Sequence, residues 1–238
     1  MLWKGTVFMR ITEPFNPHVA ERKRGFQLIS SLFTVINIYY RSYRRNYHMQ
    51  NLLIFDLDGT LVDCKQLHRD AFMQAIGNQY YPESQVEGLP TTEKIRILNE
   101  MGMELDPDVV ATTKKQLTFE LFDKHIEYNP ELNKRLSELS LRYDLAICSN
   151  ATRPFVEAVV DRLNIRLLLS AGVFTASEYR HKPNTDQWDN CILSWGGDRD
   201  RVTIFEDSPV GIMGARNTGC TVVEVSDASD LVSKLNEY

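Results

Sequence analysis

The stretch NLLIFDLDGTLVD, residues 51 to 63, decides the fold. Leu52, Leu53, Ile54 and Phe55 form an unbroken apolar run bounded by Asn51 and by Asp-Gly-Thr, the pattern of a short strand buried on both faces. Asp56 and Asp58 stand at its C-terminal end. Period-two alternation aims both carboxylates the same way unless Gly59 has already bent the chain. Two like charges that close require compensation from elsewhere in the fold.

Downstream, further apolar runs fit strands at 143–149, 171–174, 202–206 and 221–225, alternating with helical patterns. That alternation predicts an α/β fold, a Rossmann-like three-layer parallel sheet covered by helices. Thr152 and Pro154 signal one helix start, and Ser208 with Pro209 another that Gly219 ends; a last helix is expected over 229–237. Residues 57 to 142 lie between the first two strands, where a crossover unit needs only about a dozen. Something is inserted there. With 131–141 as the crossover helix, 65–128 reads as a small α-helical cap with helical patterns at 66–77, 91–102 and 107–127, leaving 49–64 and 129–238 as the sheet domain.

The 238 residues, 43% apolar and 25% charged, suffice for one domain with an insertion. The net charge of −5 hides an asymmetry: residues 1–48 carry a net +6 and residues 49–238 a net −11. The front part is read as a basic extension, expected to be poorly ordered. Its apolar stretch at 26–40 is shorter than the roughly 20 residues a membrane span needs, so no transmembrane helix is expected. The alternative for residues 20–45 is a peripheral membrane contact. Cys64, Cys148, Cys191 and Cys220 show no CxxC pair and no nearby histidine at ligand spacing, which fits a reducing cytoplasm better than a disulfide framework or a zinc site. A monomer without a nucleic-acid partner is expected.

In an open parallel sheet, ligands bind at the C-terminal strand ends. Asp56 and Asp58 come from the first strand, Ser149 and Asn150 from the second, Lys182 from the loop after the third, and Glu206 and Asp207 from the fourth. Four carboxylates over one small area make sense with a bound cation, and oxygen-only ligands point to Mg2+, which also takes a substrate phosphate as ligand.

Taken in order, DLDGTLVD, SN, HKP and EDSPVG resemble the four motifs of the haloacid dehalogenase-like hydrolase superfamily, in the helical-cap subgroup that includes phosphoglycolate phosphatase and beta-phosphoglucomutase. The resemblance covers residues 51 to about 226. It implies that Asp56 is the nucleophile forming an aspartyl-phosphate and Asp58 the general acid then base, with its main-chain carbonyl offered to Mg2+. It further implies that Ser149, Lys182 and the Asn150 amide hold phosphoryl oxygens, and that Asp207 ligates the metal with support from Glu206, directly or through water. The expected activity is hydrolysis of a small phosphate monoester, a sugar phosphate, a phosphoglycolate-like acid or a nucleotide. The alternatives are a phosphomutase of the beta-phosphoglucomutase type and, from another class, a non-catalytic phosphate-binding scaffold.

Duller readings exist for single signals. An EF-hand loop needs Asp or Asn at Thr60 and glutamate at Lys65, so D-x-D-G is no calcium loop. His68, His125 and His181 lack paired ligands and are taken as structural or solvent-facing. After Lys182-Pro183, NTDQW departs from the family's usual continuation, a change expected to touch helix packing more than chemistry. Thr91 stands where mutase-like members place an arginine, which weighs against the mutase, and Lys94 just beyond is a candidate substrate contact.

Overall fold

A computed structural model describes residues 50–86 and 89–238. The basic segment 1–48, with its expected disorder and its alternative membrane contact at 20–45, lies outside the described residues.

Five parallel strands form one sheet: β1 (Asn51–Phe55), β2 (Tyr143–Ser149), β3 (Gly172–Thr175), β4 (Val202–Glu206) and β5 (Thr221–Glu224), in the order β3-β2-β1-β4-β5. β1 is central. Leu53 pairs with Leu145 of β2 and with Thr203 of β4, and Ile54 with Ala146 and Ile204. All four apolar residues of β1 are buried, and their alternation divides them between two layers. Leu53 and Phe55 pack with Leu132 and Leu136 of α5 (Pro130–Leu139), with Val156 and Val160 of α6 (Arg153–Arg162), and with Leu231 and Leu235 of α9 (Ala228–Leu235). Leu52 and Ile54 pack on the other face with Trp188 and Ile192 of α7 (Asp186–Trp195) and Ala215 of α8 (Pro209–Asn217). Helices on both faces of a parallel sheet make the three layers anticipated from the sequence.

Between β1 and α5 come α1 (Lys65–Ala75), α2 (Thr91–Glu100), α3 (Pro107–Glu120) and α4 (Phe122–His125). They own a separate apolar cluster, with Phe72, Ile95, Leu98 and Val110 at its centre. The pattern read as one helix over 107–127 is two, because the chain breaks at Leu121 before α4. Asp106 caps α3, its carboxylate accepting from the amides of Asp108 and Val109.

Helix α7 was not anticipated, although Trp188, Cys191, Ile192 and Trp195 recur at helical spacing. Its start follows Asn184 and Thr185, residues of the usual start type, although neither caps it by a side chain. At α8 the signals held: Ser208 Oγ accepts from the Gly211 amide at 3.0 Å, with Pro209 in the first turn. Among the described residues, no helix is long and apolar enough to cross a membrane.

The five strands and three apolar clusters of the described residues form a complete sheet with covered faces. A protein begun at Met49 is therefore expected to remain soluble and to unfold in one cooperative urea transition, whereas aggregation or a non-cooperative transition would show that the first 48 residues complete the core. Within it, Ile54→Ala at the centre of the sheet should cost about 2–5 kcal/mol in that titration.

Candidate active site

The turn after β1 separates the two aspartates. The Asp56 amide donates to Phe205 O at 2.9 Å, which keeps Asp56 in register beside β4. The chain then folds back, with the Gly59 amide donating to Val62 O at 2.7 Å and the amides of Leu61 and Val62 both donating to Leu57 O. Gly59 sits at φ +93°, and a Cβ there would stand 2.0 Å from Asp207 Oδ2. The position needs glycine on both counts.

Asp56 is buried at the floor of the site. Asp58 turns toward the inserted helices, where it accepts from the Cys64 amide at 3.0 Å and lies 3.4 Å from His68 Nε2. Its carboxyl is pushed up by burial, but the hydrogen bond and charge of His68 and the Cys64 amide more than offset this, leaving it below its ordinary value. Cys64 and His68, one helical turn apart, therefore do meet at Asp58, contrary to the expectation that no histidine stands near a cysteine. Burial first and then the Asp58 charge push the Cys64 thiol far upward, which works against a thiolate ligand at this cluster.

Lys182 is buried between two carboxylates, its Nζ 2.5 Å from Asp56 Oδ1 and 2.7 Å from Glu206 Oε2. The same Nζ stands 5.0 Å from the centre of the Trp188 ring. Burial alone would lower its pKa, yet the charges of Asp56 and Glu206 win and raise it, so the ammonium is permanently charged. The loop carrying it, with a cis Lys182-Pro183 bond, is held by Asn150. Asn150 Oδ1 accepts from the Lys182 amide at 2.7 Å and from Gln187 Nε2 at 3.1 Å. Gln187 and Trp188 belong to the NTDQW departure, so that change reaches the surroundings of Lys182 and not only helix packing.

Glu206 has both oxygens engaged. Oε2 meets Lys182, and Oε1 accepts from Ser208 Oγ at 2.9 Å. A Cβ on Gly211 would lie 2.1 Å from Oε1, so the carboxylate fills the space that a glycine leaves open. Ser149 is buried at the end of β2, its Oγ accepting from the Ala151 amide at 3.1 Å, which leaves the hydroxyl proton to donate elsewhere.

Asp56, Glu206 and Asp207 bring carboxylate oxygens within 4.8 Å of one another. Lys182 supplies one positive charge against these three. Burial, then Glu206, push Asp56 up despite Lys182, and burial, Glu206 and Asp58 push Asp207 up to about 6. Asp207 Oδ1 is buried with no hydrogen-bond partner. An oxygen-only cluster short of positive charge, with an orphaned oxygen, fits a hard divalent cation held by Asp56 and Asp207. The Asp58 carboxylate is not in this cluster.

Two features escaped the sequence reading. His68 borders Asp58, with its ring 5.4 Å from that of Phe155. Phe155, from α6 in the sheet domain, also meets Phe119 and Phe122 of the inserted helices at 6.3 and 6.0 Å. Only the spacing of Cys64 and His68 on one helix face after the aspartates carried a hint of the former. His125 contacts Asp70 at 3.0 Å, and His181 is exposed.

The chain is similar to known proteins over most of its length. It is 27% identical over 179 residues to fructose-1-phosphate phosphatase YqaB of Escherichia coli (strain K12), covering 73% of this chain and 95% of that one. It is 25% identical over 176 residues to a phosphorylated carbohydrates phosphatase of Thermotoga maritima, covering 70% and 81%. Among solved structures, CbbY from Rhodobacter sphaeroides in complex with phosphate superposes with a TM-score of 0.62 at 18% identity over 74% of this chain and 86% of that one, a likeness of fold. The family model of haloacid dehalogenase-like hydrolases matches residues 53–225, and with the motif residues gathered as described the chain belongs to that family.

Proposed function

We propose that the protein is a Mg2+-dependent phosphatase that hydrolyses a small phosphate monoester, such as a sugar phosphate, through an aspartyl-phosphate. The single observation that carries this is the buried Asp56–Lys182–Glu206 group beside the orphaned Asp207 oxygen. The names of the phosphatase relatives support the substrate class. In the proposed division, 49–64 and 129–238 form the sheet domain and 65–128 the cap, in a cytoplasmic monomer.

Asp56 is the nucleophile. Its second oxygen is free of Lys182 and attacks phosphorus in line, while Lys182 and the Ser149 hydroxyl hold phosphoryl oxygens, with the backbone amide of Asn150. Asp56, Asp207 and the Asp58 carbonyl would hold a divalent cation, which would supply neutralising charge to the phosphoryl group and to the carboxylates. Asp58 gives its proton to the leaving oxygen and later takes one from the water that opens the acyl phosphate. Glu206 acts through Lys182, fixing the ammonium where charge develops. The mutase alternative lacks an arginine at Thr91, whose hydroxyl instead accepts from Lys114 Nζ at 3.1 Å. A scaffold would have no need of the nucleophile.

Asp56→Asn should lower turnover of any phosphate ester by at least about 10⁴-fold. Lys182 keeps Glu206 as its partner in that variant, so the thermal midpoint should hold, and phosphate release near the parent rate would sink the nucleophile assignment. Chelation should stop activity and Mg2+ restore it, while calcium, with its longer bonds and greater ligand number, should inhibit; full activity in excess chelator would contradict the metal assignment. Gly211→Ala places a methyl against Glu206, so its kcat should fall about ten- to hundred-fold with a native circular dichroism spectrum. A parent-like kcat would mean that the Glu206 brace is dispensable.

A further inference from the structure

We propose that Gln187 is a positioning residue for Lys182: its side-chain amide, acting through Asn150, fixes where the ammonium stands, and the chain keeps it there at a cost in stability. This rests on the phosphatase reading, in which Lys182 holds a phosphoryl oxygen, and adds what sets the place of that lysine.

Gln187 is the second residue of α7 and is fully buried, on the helix that gives Trp188, Cys191 and Ile192 to one apolar layer of the sheet. A primary amide in such a place costs free energy unless its donors and its acceptor are all met. They are met only in part. Nε2 donates to Asn150 Oδ1 at 3.1 Å and to Arg180 O at 3.4 Å, while Oε1 is buried with no hydrogen-bond partner among the described residues. Methionine, of similar length, would leave no orphaned oxygen, so what the amide contributes lies in its donor end.

That end closes the segment that carries Lys182. Arg180 and Asp186 flank the segment and pair on its outside, with Nε 2.6 Å from Oδ2 and Nη2 2.7 Å from Oδ1. On the inside, Gln187 draws the Arg180 carbonyl and the Asn150 side chain to one nitrogen. Asn150 directly follows β2; its Oδ1 accepts from the Lys182 main-chain amide at 2.7 Å, and its Nδ2 donates to Lys182 O at 3.5 Å. Turned over, Asn150 would set its own NH2 against two donors, those of Lys182 and Gln187. Gln187 therefore holds in one orientation the group that grips the lysine backbone. At the far end of the same lysine, Nζ must stand 2.5 Å from Asp56 Oδ1 and 2.7 Å from Glu206 Oε2 while also reaching the phosphoryl group. A misplacement of about 1 Å in such a group costs about a hundred-fold in rate.

The test uses the full chain with Mg2+ and p-nitrophenyl phosphate. Gln187→Met removes the donor and the orphaned oxygen together, so kcat should fall about ten-fold or more with KM changed less than about three-fold, while the thermal midpoint holds or rises. Added to Asn150→Ala, in which the intermediary is gone, it should change kcat by less than about two-fold. Gln187→Asn, which stays polar but withdraws the donor by one methylene, should lose kcat in the same way and serves if Gln187→Met fails to fold. Calorimetric titration reads the site without turnover: affinity for orthovanadate, which mimics the transferring phosphoryl group, should fall in step with kcat, and affinity for inorganic phosphate should stay within about three-fold. Weakened vanadate binding in Gln187→Met, with no turnover by the parent protein, would overturn the phosphatase reading and leave Gln187 as the positioning residue. Parent-like kcat and vanadate affinity, losses that multiply in the double variant, or a loss that comes only with a lowered thermal midpoint would overturn the Gln187 assignment.

Discussion

The buried ammonium of Lys182, held between Asp56 and Glu206, is the interaction on which the rest of the site depends. Taking such charges out of water costs several kcal/mol per ion, and only close pairing offsets it. Because the three groups come from the loop after β3 and from the ends of β1 and β4, the pairing is possible only if β1 is central and parallel to β4. The chain meets that condition by giving β1 four consecutive apolar residues, which can be buried on both faces only in the middle of a helix-covered sheet. Around the ammonium, each neighbour keeps one partner in place. Asn150 holds the lysine loop, Ser208 holds Glu206, and Gly59 and Gly211 leave the room that the carboxylates of Asp207 and Glu206 occupy.

The sheet and its acidic edge were legible for a physical reason. Strands buried on both faces must be continuous apolar runs, and such runs stop where polar chemistry begins, so β2 and β4 coincide with their expected spans, β5 ends one residue early and β3 is shifted by one residue. Less legible was whatever depends on long-range packing. Asn150 and Lys182 are 32 residues apart, and nothing near either says that the asparagine side chain grips the lysine backbone. His68 by itself is an ordinary helix residue; its meeting with Asp58 follows from the turn at Gly59 and from the direction in which α1 leaves Cys64. The missed helix α7 is a different case, since both its apolar spacing and its start residues Asn184, Thr185 and Asp186 were visible.

The inserted helices are stabilised in two ways that serve different ends. Their own cluster around Phe72, Ile95 and Leu98 makes them a unit with a separate core. Phe155 of α6 ties those helices to the sheet through aromatic contacts with Phe119, Phe122 and His68. Such ring pairs add about 0.5–1.5 kcal/mol each beyond area burial, enough to favour one arrangement without locking it. The imidazole that borders Asp58 is thus in contact with a helix that covers the sheet, so the surroundings of Asp58 and the seating of the inserted helices are one physical matter.

The two aspartates of the opening motif end in opposite electrostatic states, and the difference matches the two roles proposed for them. Asp56 is pushed up by burial and by Glu206, a penalty that a bound cation removes, returning it to the ionised form a nucleophile needs. Asp58 is held down by His68 and the Cys64 amide despite its burial, which suits the half of the cycle in which it takes a proton from water. The acid half needs the opposite. A phosphate dianion arriving beside Asp58 favours its protonated form by direct repulsion, so the substrate itself raises the acid that its leaving group requires. In the proposed cycle, once the leaving group has departed with that proton, the phosphoryl charge would sit on Asp56 next to Lys182, and Asp58 would be left ionised beside His68 as the base for the second step.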